Sequence, residues 1–284
     1  MKKTKPAQKK LMKKLLLYLI PFAVGSIFLL WIVLPMSYAV LWSLVNPEYP
    51  WSYPAPLPQN LSFFQWRHVF THTNIIRAIY NSFFIALCTT GLSLLLALPT
   101  AYALGRRNIV GREVYKIVML FPLVFPGMAL ALFFGRLLVM MGLSGSYMGV
   151  IMAHTMIGLP YMLRILTVNF ESMPQELLDA ADNLGAGPFT KFREIYFPMI
   201  LPGIVAGSIF TFILSLEEFN LSFIIGVPRI PTIPTVLYTY LGQHFLRTRA
   251  SVVSLILVIP SIILLLITER NIKTEYMGAA LGKM

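Results

Sequence analysis

The sequence has little charge, less acid and one cysteine. Only 12% of its 284 residues are charged, against about 25% in ordinary soluble domains, which is too little polar surface to solvate a water-borne globule. Lone Cys88 excludes an internal disulfide. It lies in an apolar run and fits the role of a small packing residue. No GxxxxGK[ST] is present to cradle phosphates, and neither HExxH nor CxxC occurs. The histidines His68, His72, His154 and His244 are scattered. His68 and His72 share a helical spacing but have no third ligand nearby, so a polar interfacial face accounts for them better than a metal. No nucleophile stands beside a base, so an intramembrane enzyme has no catalytic constellation to work with. The expectation is a chain with no catalytic residue, no metal and no cofactor of its own.

What the chain has is apolar length. Hydrophobic residues make up 57%, and the mean hydropathy is +0.73. Several runs reach about 20 residues, enough to span a hydrocarbon core of about 30 Å at a helical rise of about 1.5 Å per residue. The alternating pattern of a membrane β-barrel is absent. The fold class expected is all-α, a polytopic membrane protein of six transmembrane helices. The spans fall at about 17–43, 80–104, 117–139, 146–168, 199–222 and 250–268, within a membrane domain of 15–268. A basic amino end (1–14) precedes it and a polar tail (269–284) follows. The uncharged run from Leu15 to Val45 is longer than the apolar stretch of about 7–15 residues in a signal peptide, so cleavage is not expected. The proline-rich 47–58 stretch disfavours helix and strand alike, and LSFFQWRHVF after it suits a short interfacial helix. Pro122, Pro126 and Gly127 interrupt the third span and free backbone carbonyls there, which favours a cavity-lining position and makes Pro126 a candidate gate residue.

Six spans put both termini on one side. Sixteen lysines and arginines then fall on the side of the termini and six on the other. The positive-inside rule places the termini and the 169–198 loop in the cytoplasm. The formal net charge of +12 thus follows from membrane orientation, and nucleic acid is not an expected partner.

The 169–198 loop is the longest mixed stretch between two apolar runs, with Glu171, Glu176, Asp179 and Asp182 crowded into its first half. Ser172 is placed to cap a helix with Pro174 in its first turn, Glu176 favourably early, and a stop at Gly185 in the left-handed conformation. A second short helix is expected from Pro188, carrying Phe189, Phe192, Lys191 and Arg193. Physical reasoning alone leaves two readings of equal weight, a stiff cytoplasmic docking knob and an amphipathic loop resting on the membrane.

DAADNLGAGPFTKFREIYFP resembles the EAA motif of the membrane subunits of binding-protein-dependent ABC importers. Asp179, Ala180, Ala181, Gly185, Ile195 and Pro198 fall on the motif's spacing, with Asp179 in place of Glu and Phe197 in place of Leu. The basic amino end, NSFFIA opening the second span and AYALGR closing it extend the likeness over nearly the whole chain. The resemblance implies a type I importer permease in the bacterial cytoplasmic (inner) membrane. Its partners are then two copies of a cytoplasmic ABC ATPase, which hold the ATP and Mg, a second related permease, and an extracytoplasmic substrate-binding protein. It also implies ATPase coupling through Glu176, Asp179, Ala180, Ala181, Asp182, Gly185, Ala186 and Phe189.

Glu217 and Glu218 lie in the fifth span, and acids in a membrane helix are functional candidates by default. Arg229, Arg247 and Arg249 are candidates for docking a binding protein on the outer side. SLEEF, IGVPRIPTIPTVLYTYL and a last span ending in TER are similar to the second permeases of the polyamine (spermidine/putrescine) group, whose relatives carry iron, thiamine, opines or aminophosphonates. A secondary carrier driven by an ion gradient is the alternative within transport.

Overall fold

The computed structural model describes residues 6–52 and 54–281, with side chains over 18–52 and 54–267. The lysines of the amino end and the charges of the 269–284 tail therefore lie outside the described side chains. Helix α1 covers Pro6–Ser43, α2 covers Phe64–His72 and α3 covers Ile75–Arg106. Helix α4 covers Arg112–Met119, α5 Gly127–Met140 and α6 Tyr147–Glu171. Two short helices follow, α7 (Gln175–Asn183) and α8 (Pro188–Lys191). Then come α9 (Phe197–Glu217), α10 (Ile233–Tyr238) and α11 (Arg247–Leu281). Among the described residues β-pairing is limited to one bridge, Val45 to Leu61.

Five described helices are long and apolar enough to cross a membrane: Tyr18–Ser43, Ile75–Arg106, Tyr147–Glu171, Pro188–Glu217 and Arg247–Ile267. The expected third span is not one helix. Helix α4 ends at Met119, a 3₁₀ turn takes Phe121–Val124, and α5 starts afresh at Gly127. Pro122 and Pro126 supply no backbone N–H, so the α-helical ladder cannot run through them. The fifth span starts earlier than expected. Helix α8 runs through a π-turn at Phe192–Tyr196 straight into α9. Pro198 withholds its N–H from the Glu194 carbonyl, and the Phe197 N–H reaches back five residues to Phe192 O instead. The tail, expected to be loose, continues α11 to Leu281.

Helices α3, α6 and α9 pack against one another and form the centre. Small residues allow the approach. A β-carbon on Gly105 would lie 2.7 Å from Phe170 Cβ, and one on Gly158 would lie 2.8 Å from Thr211 Cγ2. At the α3 carboxyl end the core is Ala97, Ala101, Met162, Leu166, Phe170 and Ile200. At the opposite end it is Val69, Ile75, Leu216, Ile233 and Val252. Helix α1 stands apart, packed on α11, and leaves Trp31 76% exposed.

Candidate coupling site

The loop between α6 and α9 is built from the end of α3 outward. Arg106 Nη1 donates to Met173 O at 3.1 Å, and its Nη2 donates to Gln175 Oε1 at 2.6 Å. Gln175 in turn donates from Nε2 to Asp179 Oδ1 at 2.9 Å. One guanidinium therefore fixes both the α6–α7 connection and the first turn of α7. The partners of Arg106 are about 70 residues away along the chain, and no local signal marks them.

Ser172 does not cap α7. It ends α6, and its Oγ donates to Asn169 O at 3.0 Å. Pro174, in an extended conformation, precedes α7 instead, and Glu176 occupies the first turn, where the helix dipole favours an acid. The stop is as expected. Gly185 has φ +74, its N–H bonds Asp182 O at 2.9 Å, and the Ala186 N–H bonds Ala181 O at 2.9 Å. This is a Schellman motif. Lys191 Nζ on α8 then ion-pairs with Asp182 Oδ1 at 2.6 Å, closing the two helices into one unit. Tyr196 stacks edge-on with Tyr102 at 5.4 Å and lies 6.0 Å from Phe170, which seats the base of the unit on α3 and α6.

Helix α7 presents two faces. Leu178 and Ala181 are buried, while Leu177, Ala180, Asp179 and Glu176 face out. Ala181 therefore packs inward, and only Ala180 offers an approaching surface a place without bulk. Leu184 and Phe189 stand 87% and 76% exposed on either side of Gly185.

The second group of candidates comes together at a break in the fifth span. Helix α9 ends at Glu217, and Glu218 has an extended ψ of 114. Helix resumes at Asn220, where Glu218 Oε1 accepts from the Leu221 N–H at 3.0 Å. Glu218 is thus half-buried and committed to capping, whereas Glu217 is exposed with no ion pair or hydrogen bond among the described residues. Asn220 Nδ2 lies 2.8 Å from where a Gly127 β-carbon would stand, so Pro126–Gly127 and the Glu218 break adjoin. His154 pins the break from α6. Its Nδ1 is 2.8 Å from Ser215 Oγ before the break, and its Nε2 is 3.0 Å from Ser222 Oγ after it. His154 carried no signal in the sequence because both serines are over 60 residues away.

Arg229, Arg247 and Arg249 occupy two places. Arg229 lies against Gly145, and its carbonyl accepts from Arg77 Nη2 at 2.9 Å. Arg247 sits over the Trp42 ring at 5.9 Å. Arg249 is near His68, whose imidazole is held below its ordinary value by desolvation first, then by the Arg249 charge and by His72. The His68 and His72 rings stack at 4.9 Å, and no group of three metal-ligating side chains occurs among the described residues.

Residues 93–273 match the family described as binding-protein-dependent transport system inner membrane component. The chain belongs to this family. It is a permease subunit of an ABC importer, and the ATPase is a separate partner chain. It is 26% identical to the trehalose transport system permease SugB of Mycobacterium tuberculosis over 76% of this chain and 80% of that one. It is 27% identical to the spermidine/putrescine transport system permease PotC of Haemophilus influenzae over 58% of this chain and 65% of that one. In fold the permease matches a chain of a bacterial ABC transporter that imports the acidic polysaccharide alginate. The TM-score is 0.73 with 18% identity, covering 95% of this chain and 99% of the other. Relatives with such different cargoes do not single out the polyamine group.

Proposed function

We propose that this permease forms half of a translocation pathway in the bacterial cytoplasmic membrane, with both termini in the cytoplasm. The unit α7–Gly185–α8 docks one of two copies of an ABC ATPase, whose ATP and Mg drive the cycle. The observation that carries this is the pair Leu184 and Phe189, large apolar side chains held exposed on a turn fixed by Gly185, Asp182 and Lys191. A monomeric soluble surface gains nothing from such a pair, whereas a partner cleft does. Alternating closure of two ATPases would move the unit as a body, and the Arg106 and Tyr196 contacts would pass that motion to α3 and α6.

A second, related permease completes the pathway. Irregular backbone at membrane depth is tolerated where protein buries it or water lines it. Pro126 and Glu217, at the two adjoining breaks, are exposed in the single chain, so the partner and the pathway meet there. The exposed, unpaired Glu217 supports a small cationic solute such as a polyamine as cargo. Arg229, Arg247 and Arg249 supply positive charge for an acidic patch on an extracytoplasmic binding protein.

The test is to purify the permease with its co-eluting cytoplasmic partner and assay ATP hydrolysis for the wild type and Gly185→Arg. The proposal expects a nucleotide-binding partner that is lost, or no longer stimulated, in the variant. A partner retained and stimulated as in the wild type by Gly185→Arg would remove the turn as the docking element.

A further inference from the structure

Between the Glu218 break and α10, the chain from Val227 to Thr232 forms neither helix nor strand. Pro228, Pro231 and Pro234 bring no N–H to this stretch, and its carbonyls must find donors on other elements. Helix α3 supplies the partners from its first turns. Arg77 Nη2 donates to Arg229 O at 2.9 Å, and Asn81 Nδ2 donates to Pro231 O at 2.7 Å. Ser82 Oγ accepts from the Ile233 N–H at 2.9 Å. Alternate residues of the segment thus turn their backbone towards α3. Asn81 is fully buried and is used at both ends of its carboxamide, because the Tyr147 hydroxyl on the first turn of α6 donates to its Oδ1 at 2.7 Å. Pro231 O can only accept, which fixes the amide with its nitrogen towards the segment. A further tie runs from the Gly145 N–H, just before α6, to Ile225 O at 2.8 Å. Ile230, Thr232 and Ile233 are buried, while Val227, Pro228 and Arg229 stay exposed.

We infer that Asn81 is a positioning residue for transport, clamping the 227–235 segment to α3 and α6 so that it moves with those two helices. This role rests on the proposed pathway past the Pro126 and Glu218 breaks, beside which the segment carries its exposed residues. Arg106 and Asn81 stand near opposite ends of the continuous helix α3, about 37 Å apart at helical rise. The coupling unit is tied to one end by Arg106 and the segment to the other by Asn81, which makes α3 a rod between them. Helix α6 runs beside it, with Phe170 against Tyr196 at the coupling end and Tyr147 on Asn81 at the far end. Along the chain, α9 reaches the segment only through the extended backbone at Glu218. A carboxamide suits this place because it offers a donor and an acceptor on one planar group, one for Pro231 O and one for the Tyr147 hydroxyl. An apolar residue would leave the Pro231 carbonyl without that donor in a buried site, which is costly.

The test places spin labels on Val227→Cys and Leu95→Cys, both at accessible positions, in a Cys88→Ala background of the purified importer complex. Measured from the level of Arg77, the labels are about 27 Å apart along α3, a separation that double electron–electron resonance resolves. With Asn81 in place, one narrow distance is expected, unchanged when ATP and vanadate are added. In Asn81→Ala the distribution broadens about twofold without nucleotide, since the segment is freed from both helices. Tyr147→Phe keeps the ring against Phe84, 5.5 Å away, and removes only the hydroxyl, giving a smaller broadening. Where Asn81→Ala does not assemble, Tyr147→Phe decides in the same way. A purely stabilising asparagine would lower the thermal midpoint and leave the distribution of the folded complex as narrow as before, and that result overturns the inference. So does a distance that shifts with ATP and vanadate while Asn81 is in place, because the segment then does not ride on α3. The nucleotide-free comparison involves no ATP hydrolysis, so it decides the clamp even where the Gly185→Arg assay finds no docking at the turn.

Discussion

Arg106 Nη2 donates to Gln175 Oε1 at 2.6 Å, joining the last turn of α3 to the first turn of α7. With Arg106 Nη1 on Met173 O, this is the polar link between the core and the coupling unit. Removing it in Arg106→Ala should loosen α7 by about 1–2 kcal/mol, since the bonds are charge-assisted but partly solvated. Hydrogen exchange of the α7 amides in the assembled complex should quicken, and coupled uptake should fall more than ATP hydrolysis. Unchanged exchange would show that the tether carries no weight.

Gly185 at φ +74 is open to space, with nothing within 4 Å of an added β-carbon. The cost of substitution is therefore one of backbone conformation. Gly185→Val should lose about 1–2 kcal/mol, and Gly185→Asn should lose clearly less, because Asn visits the left-handed region. Equal melting temperatures for the two variants would contradict the Schellman turn.

Gly105 is constrained by contact instead. A β-carbon there meets Phe170 Cβ at 2.7 Å and Thr167 O at 3.2 Å, neither at the end of a flexible side chain. Gly105→Val should cost about 1–3 kcal/mol through overpacking. The readout is the thermal midpoint in detergent, and a value within error of wild type would refute the close α3–α6 approach.

The two acids of the fifth span should separate. Glu217→Gln should lower uptake with assembly intact and stability within about 0.5 kcal/mol of wild type, since the side chain is exposed. Glu218→Ala should cost about 0.5–2 kcal/mol, because the Leu221 N–H loses its cap. Normal uptake by Glu217→Gln would remove that residue from the pathway.

Much of this was legible in the sequence where the cause is local. Apolar length located five of the membrane helices, and Gly185 followed by Pro188 marked the stop and restart of the α7–α8 loop. Pro122 and Pro126 signalled trouble in the third span, though only the structure shows that the helix ends outright there. Tertiary partners were not legible. Ser172 looked like a cap, but α6 runs on to Glu171 and claims it. Ala181 shared a motif with Ala180, yet a helix turns them about 100° apart and only one can face out. Glu217 and Glu218 are both candidates in the sequence, and the helix break separates them by giving Glu218 a backbone partner. His154 and Arg106 bind groups on other helices, which no pattern within either segment could show.

If the turn around Gly185 enters the ATPase, cysteine cross-linking of Leu184→Cys in a Cys88→Ala background will show it in the assembled importer in membranes. The expected result is a disulfide or short-linker product between this permease and single cysteines lining the ATPase cleft, with a yield that changes when ATP is added. No product with the ATPase, while the same cysteine remains freely labelled by a water-soluble maleimide in the full complex, would contradict it.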